Sequence, residues 1–180
     1  MFDPLFTSAR LRLAAPLPAD QADFARWSQD ADYLRLLDDD PIRPLAEAAF
    51  GSFANPNDSD SYFHLRTLEA DTLIGFVVLH GIKWPGGSAL LAMGIGEPTY
   101  RGKGYGSEAL RLILRYGFME LGLHRVGLTV LAYNTAAIRA YERVGFVREG
   151  CTRQAVLRQG MRHDLLAYGI LREEYLKTIE

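Results

Sequence analysis

Cysteine is almost absent: Cys151 is the only one in 180 residues. That excludes an internal disulfide and any zinc site built on cysteines. Its apolar, strand-like neighbourhood predicts a buried structural thiol rather than a reactive one. Long hydrophobic runs are missing as well. No apolar stretch approaches the ~20 residues that a membrane helix needs. The segment from Met1 to Leu13 lacks the basic-then-apolar pattern of a secretory signal. A cytoplasmic protein with no membrane partner is expected. Nor is there an excess of charge of one sign. Lys and Arg number 20 and Asp and Glu 22, a formal net charge of -2, so no broad field favours nucleic acid or anionic lipid. Repeats, low-complexity tracts and linkers are also lacking. Residues 1–180 therefore read as one domain. A chain this long buries about 70% of its unfolded surface and needs no metal to fold; no metal is expected.

What is present is a run of short periodic segments. Ser8 to Ala15 alternates Arg10 and Arg12 against Leu11 and Leu13, the period-two signature of a half-buried strand. Asp20 predicts an N-cap for a helix from Gln21 to Ser28, with Phe24 and Trp27 on one face. Asp30 to Pro44, with clustered acids and two prolines, predicts a loop or broken helix, and a second helix is expected from Leu45 to about Phe53. Asn55 to Asp60 has loop composition. Tyr62 to Glu69 and Thr72 to Lys83 read as a hairpin across Ala70 and Asp71. Trp84 to Gly87 is a turn into a strand from Ala89 to Ile95.

Leu110, Ile113, Leu114, Phe118 and Leu121 then fall at helical spacing, with Gly122 as the stop. Val126, Leu128, Val130 and Ala132 alternate as a strand. Asn134 caps a helix from Thr135 to Val144 that Gly145 ends in a left-handed turn. Phe146 to Arg153 and Arg162 to Leu171 close as an antiparallel pair. The fold class is α/β, with a mixed, mostly antiparallel sheet of about seven strands and helices on both faces.

Between strand and helix lies Arg101-Gly102-Lys103-Gly104-Tyr105-Gly106. Backbone N–H groups freed by glycine and aimed along a helix axis make an anion cradle, and phosphate is its usual guest. An Asn134…Tyr141 pair one strand later suggests an enzyme that binds a phosphorylated cofactor. The dinucleotide fingerprint G-x-G-x-x-G and its downstream acid are absent. Lys103 is followed by Gly104, so the loop is not the G-K-[ST] type. The D-F-G motif and catalytic-loop Asp of a kinase are missing too. A plain tight turn is the rival reading of the loop.

The remaining pattern, R-x-x-G-x-G at Arg101, Gly104 and Gly106, resembles the acyl-CoA pyrophosphate loop of the GNAT superfamily of N-acetyltransferases. Asn134, Ala137, Ile138, Tyr141, Glu142, Gly145 and Phe146 resemble the family's second segment, N-x-x-A-[IL]-x-x-Y-E-x-x-G-F, at the expected distance downstream. The N-terminal strand and the segment from Arg162 to Tyr168 are similar to one branch. It contains the ribosomal-protein N-terminal acetyltransferases (RimJ/RimL-like) and the spermidine acetyltransferases. The likeness is weakest from Asp30 to Asp60.

The resemblance implies the GNAT fold, with a V-shaped opening for acyl-CoA where Met93 to Ile95 splays from Val126 to Tyr133. It implies acetyl-CoA as cosubstrate and direct attack by a primary amine, either a protein N-terminus, a polyamine or another small amine. Homodimers or larger homo-oligomers are common in the family. Cofactor contacts fall on Ile95, Arg101, Gly102, Lys103, Gly104, Tyr105, Gly106 and Asn134. Arg101 and Lys103 either add charge or are simply solvated. Tyr141 becomes the general acid, since a phenol of pKa ~10 suits a thiolate whose acid sits near ~8.5. Packing alone is its rival role, as capping is for Asn134.

The general base is not legible; Glu97, His80, Asp164 and water compete. His64, His124 and His163 read as surface or strand-end residues. Asp30, Asp32, Asp38, Asp39 and Asp40 either attract a cationic amine or form a solvated loop. Tyr33 and Trp27 either line the pocket or belong to the core. A non-catalytic acyl-CoA sensor is the competing function.

Overall fold

A computed structural model describes residues 4–54 and 60–179. Seven strands form one sheet in the order β1-β2-β3-β4-β5-β7-β6. They are β1 (Leu11–Ala14), β2 (Ser61–Thr67), β3 (Leu73–Lys83), β4 (Ser88–Ile95), β5 (Arg125–Leu131), β6 (Val147–Arg158) and β7 (Met161–Leu171). Every neighbouring pair is antiparallel except β4 and β5. The helices are α1 (Gln21–Trp27), α2 (Ala31–Leu37), α3 (Tyr105–Arg115), α4 (Thr135–Arg143) and α5 (Arg172–Lys177).

Period-two alternation places one set of strand side chains on each face. On one face Leu11, Leu65, Val77, Leu79 and Leu128 pack beneath α3, whose Leu110, Ile113 and Leu114 are fully buried. Each such aliphatic group contributes roughly 1.5–3 kcal/mol on burial. A single π-type turn, Tyr116–Glu120, carries Phe118 into the same core before Gly122 ends the element. On the other face α1 and α2 build a smaller, largely aromatic core of Phe24, Trp27, Tyr33, Phe50 and Leu73.

The hairpin of β2 and β3, the strand Ser88–Ile95 and the closing pair β6–β7 lie where the hydrophobic pattern predicts them. Asn134 Oδ1 accepts the Ala137 N–H at 3.1 Å, a cap worth about 1 kcal/mol. Gly145 takes the left-handed turn at φ +103.

Several expectations need correction. Asp30 to Pro44 contains a regular helix, α2, because Asp30 Oδ1 accepts the Asp32 and Tyr33 N–H groups, both at 3.0 Å. An acid that reads as loop composition is a cap. From Leu45 onward the chain forms a 3-10 element, Glu47–Ala54, instead of an α-helix; Gly51 in its middle disfavours regular helix. Asn55 to Ser59 of the expected loop lie outside the described residues.

Asp20 precedes α1 but makes no side-chain cap. Its carboxylate is buried, bonding His64 Nδ1 at 2.5 Å and also Arg66. His64 is therefore a core residue, only 2% exposed, since it sits on the β2 face that α1 covers. Burial depresses the pKa of this imidazole in spite of Asp20. Cys151 is exposed rather than buried, because β6 is a sheet edge on which Val156 alone is fully covered.

Candidate active site

β4 and β5 pair over a short stretch, from Ser88 with Arg125 to Leu90 with Gly127. Past that point β4 stays bonded to β3 as far as Ile95, while β5 stays bonded to β7 as far as Leu131. Each strand follows its own antiparallel partner, so the two half-sheets part. The gap is a cleft of about 790 Å³. It leaves the β5-facing edge of β4, from Leu91 to Ile95, without a strand partner.

At the mouth of the cleft lies the glycine loop. Gly104 occupies the N-cap of α3 at φ +86, a left-handed conformation that L side chains resist. Glycine supplies no capping side chain, and the helix ladder begins with Glu108 N–H on the Gly104 carbonyl at 3.1 Å. The N–H groups of Tyr105, Gly106 and Ser107 thus lack intrahelical acceptors. They coincide with the positive end of an 11-residue helix. This suits a diphosphate, because donors and dipole converge where Gly104 and Gly106 present no side chain.

Ile95, Arg101, Gly102, Gly104, Gly106 and Asn134 line the cleft, whereas Lys103 and Tyr105 do not. The Lys103 carbonyl is held by Arg10 at 3.1 Å, and Arg10 also stacks on the Tyr105 ring. Arg10 is fixed in turn by Glu108, whose carboxyl lies below its ordinary pKa through bonds from Ser8 and Arg10. The outer side of the loop is anchored to the segment just ahead of β1, leaving its backbone to the cleft.

Arg101 turns inward. Its guanidinium donates to the Ile95 carbonyl at 3.0 Å, the Gly96 carbonyl at 2.5 Å and Asp30 Oδ2 at 2.9 Å, and lies over the Tyr33 ring. Those three acceptors engage all its nitrogens. Asn134 is similarly engaged. Besides its cap it donates from Nδ2 to the Leu36 carbonyl at 2.9 Å.

Tyr141 stands on α4, 8% exposed, in the cleft wall. Its hydroxyl makes no hydrogen bond to the described residues, and burial pushes its pKa up to about 12. The group stays a proton donor throughout the neutral range.

The opposite wall comes from α2 and the segment that follows it. Tyr33 and Asp38, Asp39 and Asp40 line the cleft, as does His80 from β3. Burial raises the Asp38 carboxyl above its ordinary value. Asp32 is elsewhere, paired with Arg35. Of the base candidates, Glu97 is paired with Arg26 at 2.9 Å, and Asp164 accepts the Gln154 N–H on an exposed edge. Neither lines the cleft. Trp27 belongs to the core.

Two glycines that no motif marks, Gly94 and Gly96, let the helices approach β4 closely. A Cβ on Gly94 would lie 2.5 Å from the Tyr33 hydroxyl and 2.7 Å from Leu37 Cδ1, and one on Gly96 would overlap the Trp27 ring. The i, i+2 spacing was the available signal: it strips side chains from one face of a strand, which invites close packing there.

The acetyltransferase (GNAT) domain family matches residues 10–147 of the chain. The uncharacterized N-acetyltransferase YnaD of Bacillus subtilis is 30% identical over 151 residues, 83% of this chain and 86% of the relative. A spermidine N(1)-acetyltransferase of Vibrio cholerae is 34% identical over 108 residues, 60% of this chain and 62% of that one. Among solved structures, a GNAT-family acetyltransferase from Bacillus anthracis superposes with a TM-score of 0.80 at 27% identity, covering 94% of this chain and 99% of its own. The Vibrio cholerae spermidine N-acetyltransferase in complex with CoA and spermine gives 0.81 at 24% identity, with the same coverage. With its splayed sheet, glycine loop and these relatives, the chain belongs to the GNAT family and is an acetyl-CoA-dependent N-acetyltransferase.

Proposed function

We propose that this enzyme acetylates a small cationic primary amine, of the polyamine type, in preference to a protein N-terminus. The supporting observation is that Asp38, Asp39 and Asp40 line the same cleft as Tyr141 and the glycine loop. A cleft wall carrying carboxylates concentrates cations and holds them against low-dielectric surfaces. The spermidine-acetylating relative is consistent with such an acceptor.

In this reading the backbone of Arg101 to Gly106 holds the pyrophosphate of acetyl-CoA, with the helix dipole adding roughly 0.3–1 kcal/mol. The unpaired edge of β4 receives the pantetheine arm and directs an N–H at the thioester carbonyl. Tyr141 protonates the departing sulfur. His80, or water beside it, takes the proton of the amine. The ribosomal-protein branch is the alternative, and a cytoplasmic location suits both.

Acetyl-CoA consumption with spermidine, compared with a peptide bearing a free N-terminus, tests the acceptor class. The expected kcat/KM is at least about tenfold higher for spermidine, falling in high salt as exposed carboxylates are screened. A preference for the peptide, insensitive to salt, would sink the proposal.

A further inference from the structure

The two cofactor segments have their most distinctive polar side chains, Arg101 and Asn134, turned toward one short helix. At the N-terminal end of α2, Arg101 bonds Asp30, the residue that caps the helix, and covers the Tyr33 ring. At the C-terminal end, Asn134 donates to the Leu36 carbonyl and Tyr133 to the Arg35 carbonyl. These carbonyls belong to the last turn, which a helix cannot satisfy by itself. Arg158, from the far end of β6, holds the chain just beyond by bonding the Asp38 and Asp40 carbonyls at 3.0 and 2.9 Å.

This clamp positions one side chain in particular. Tyr33 is 8% exposed and reaches the cleft wall beside Gly94, on the stretch of β4 that has no β5 partner. Its hydroxyl makes no hydrogen bond to the described residues. Tyr33 lines the cleft, so a hydroxyl there that no protein group engages is available to a bound molecule. Among the described residues only Tyr141, across the cleft, is a second tyrosine of this kind on its lining.

Resting on the acetyltransferase reading of the cleft, we propose that Tyr33 is an acceptor-binding residue whose hydroxyl oxygen takes a hydrogen bond from the incoming amine. Arg101 and Asn134 act as positioning residues that hold α2, and with it Tyr33, in place. One observation and two chemical arguments favour the amine over the thioester. Tyr33 shares its helix with the path to Asp38–Asp40. In the proposed mechanism the thioester carbonyl takes the free backbone edge of β4. Accepting an N–H leaves the nitrogen lone pair free for attack. Burial raises the phenol pKa, so the group is neutral at working pH.

The test compares wild type, Tyr33→Phe and Asp30→Asn. Asparagine retains the cap oxygen of α2 but loses the charge that pairs with Arg101. Dissociation constants for CoA and steady-state kinetics are measured with two probes, spermidine and a free-N-terminal peptide. Tyr33→Phe is expected to raise the amine KM about tenfold, the loss of one hydrogen bond to a charged or polarised donor, with CoA affinity within twofold of wild type. Asp30→Asn is expected to raise the same KM by a smaller factor. It should also speed hydrogen exchange of the Tyr33 to Leu37 amides in the CoA complex.

An unchanged amine KM in Tyr33→Phe overturns the assignment while leaving the acetyltransferase reading intact. A fall in kcat with KM unchanged also overturns it, since that places the hydroxyl on the thioester. Wild type active on the peptide alone removes the small-cation acceptor, and Tyr33 is then judged on the peptide KM. Wild type inert with both amines, or unable to bind CoA, overturns both.

Discussion

The segment from Met93 to Val147 and the segment from Asp20 to Asp40 face each other across one cleft, yet they make their sites by different means. In the first, the proposed cofactor contacts are backbone N–H groups at the start of α3, with Tyr141 a fixed helical distance from its cap at Asn134. Local geometry suffices for that. In the second, α2 is too short to be stable alone and takes its position from Arg101, Tyr133, Asn134 and Arg158, which lie far away in sequence. A cradle made of main chain survives sequence change as long as its glycines do. A wall made of borrowed contacts is where acceptor preference can drift.

The contrast is sharpest at the chemistry. Tyr141→Phe is expected to lower kcat by roughly 10²–10⁴-fold with CoA affinity little changed, because in the proposed mechanism the phenol donates a proton and does not anchor the cofactor. Single-turnover assays at saturating acetyl-CoA read this directly, and full activity in the variant would erase the distinction between the halves.

Glycine substitutions separate the two sides next. In Gly104→Ala the new Cβ meets only Arg10, at 3.5 Å, but the backbone must hold φ +86. A cost of about 1–2 kcal/mol should appear as weaker CoA binding. In Gly94→Ala the conformation is ordinary, but the Cβ collides with Tyr33 and Leu37. Overpacking of about 1–3 kcal/mol should lower the melting temperature and raise the amine KM by more than it weakens CoA binding. Identical profiles for the two variants would mean that the halves are not separable.

The smallest effect concerns pH. His64, beneath α1 on the acceptor side, has a folded pKa below its ordinary value of 6.5. As pH drops below about 6.5 the unfolded chain takes up this proton first, so stability falls with pH in that window and is fully present above it. The slope is at most about 1.4 kcal/mol per pH unit, and His64→Gln should flatten it in thermal melts from pH 7 to 5. The depressed carboxyls Asp30 and Glu108 act in a separate window, contributing stability that is lost only as pH falls below about 4.5. An unchanged slope in the variant would remove His64 from the account.

Legibility followed the same division. The hairpin, the capped helix after Asn134 and the glycine loop were readable because each rests on spacing within a few residues. Cys151 is exposed against expectation, since alternation cannot say whether a strand is central or at an edge, and β6 is an edge. The burial of His64 is not legible locally because the residue that covers it, Phe24, arrives from a helix some forty positions away. Asp30 read as loop because the same carboxylate marks both loops and caps.

The order of residues alone determined the strand and helix periods, the left-handed turn at Gly104 and the interval from Asn134 to Tyr141, all set by sterics and hydrogen bonds along a short length of chain. Tertiary structure alone decided where β4 parts from β5, which acids reach the cleft, and that Arg101 faces Asp30 instead of solvent. Those outcomes depend on contacts between distant segments, whose free energy no local stretch contains.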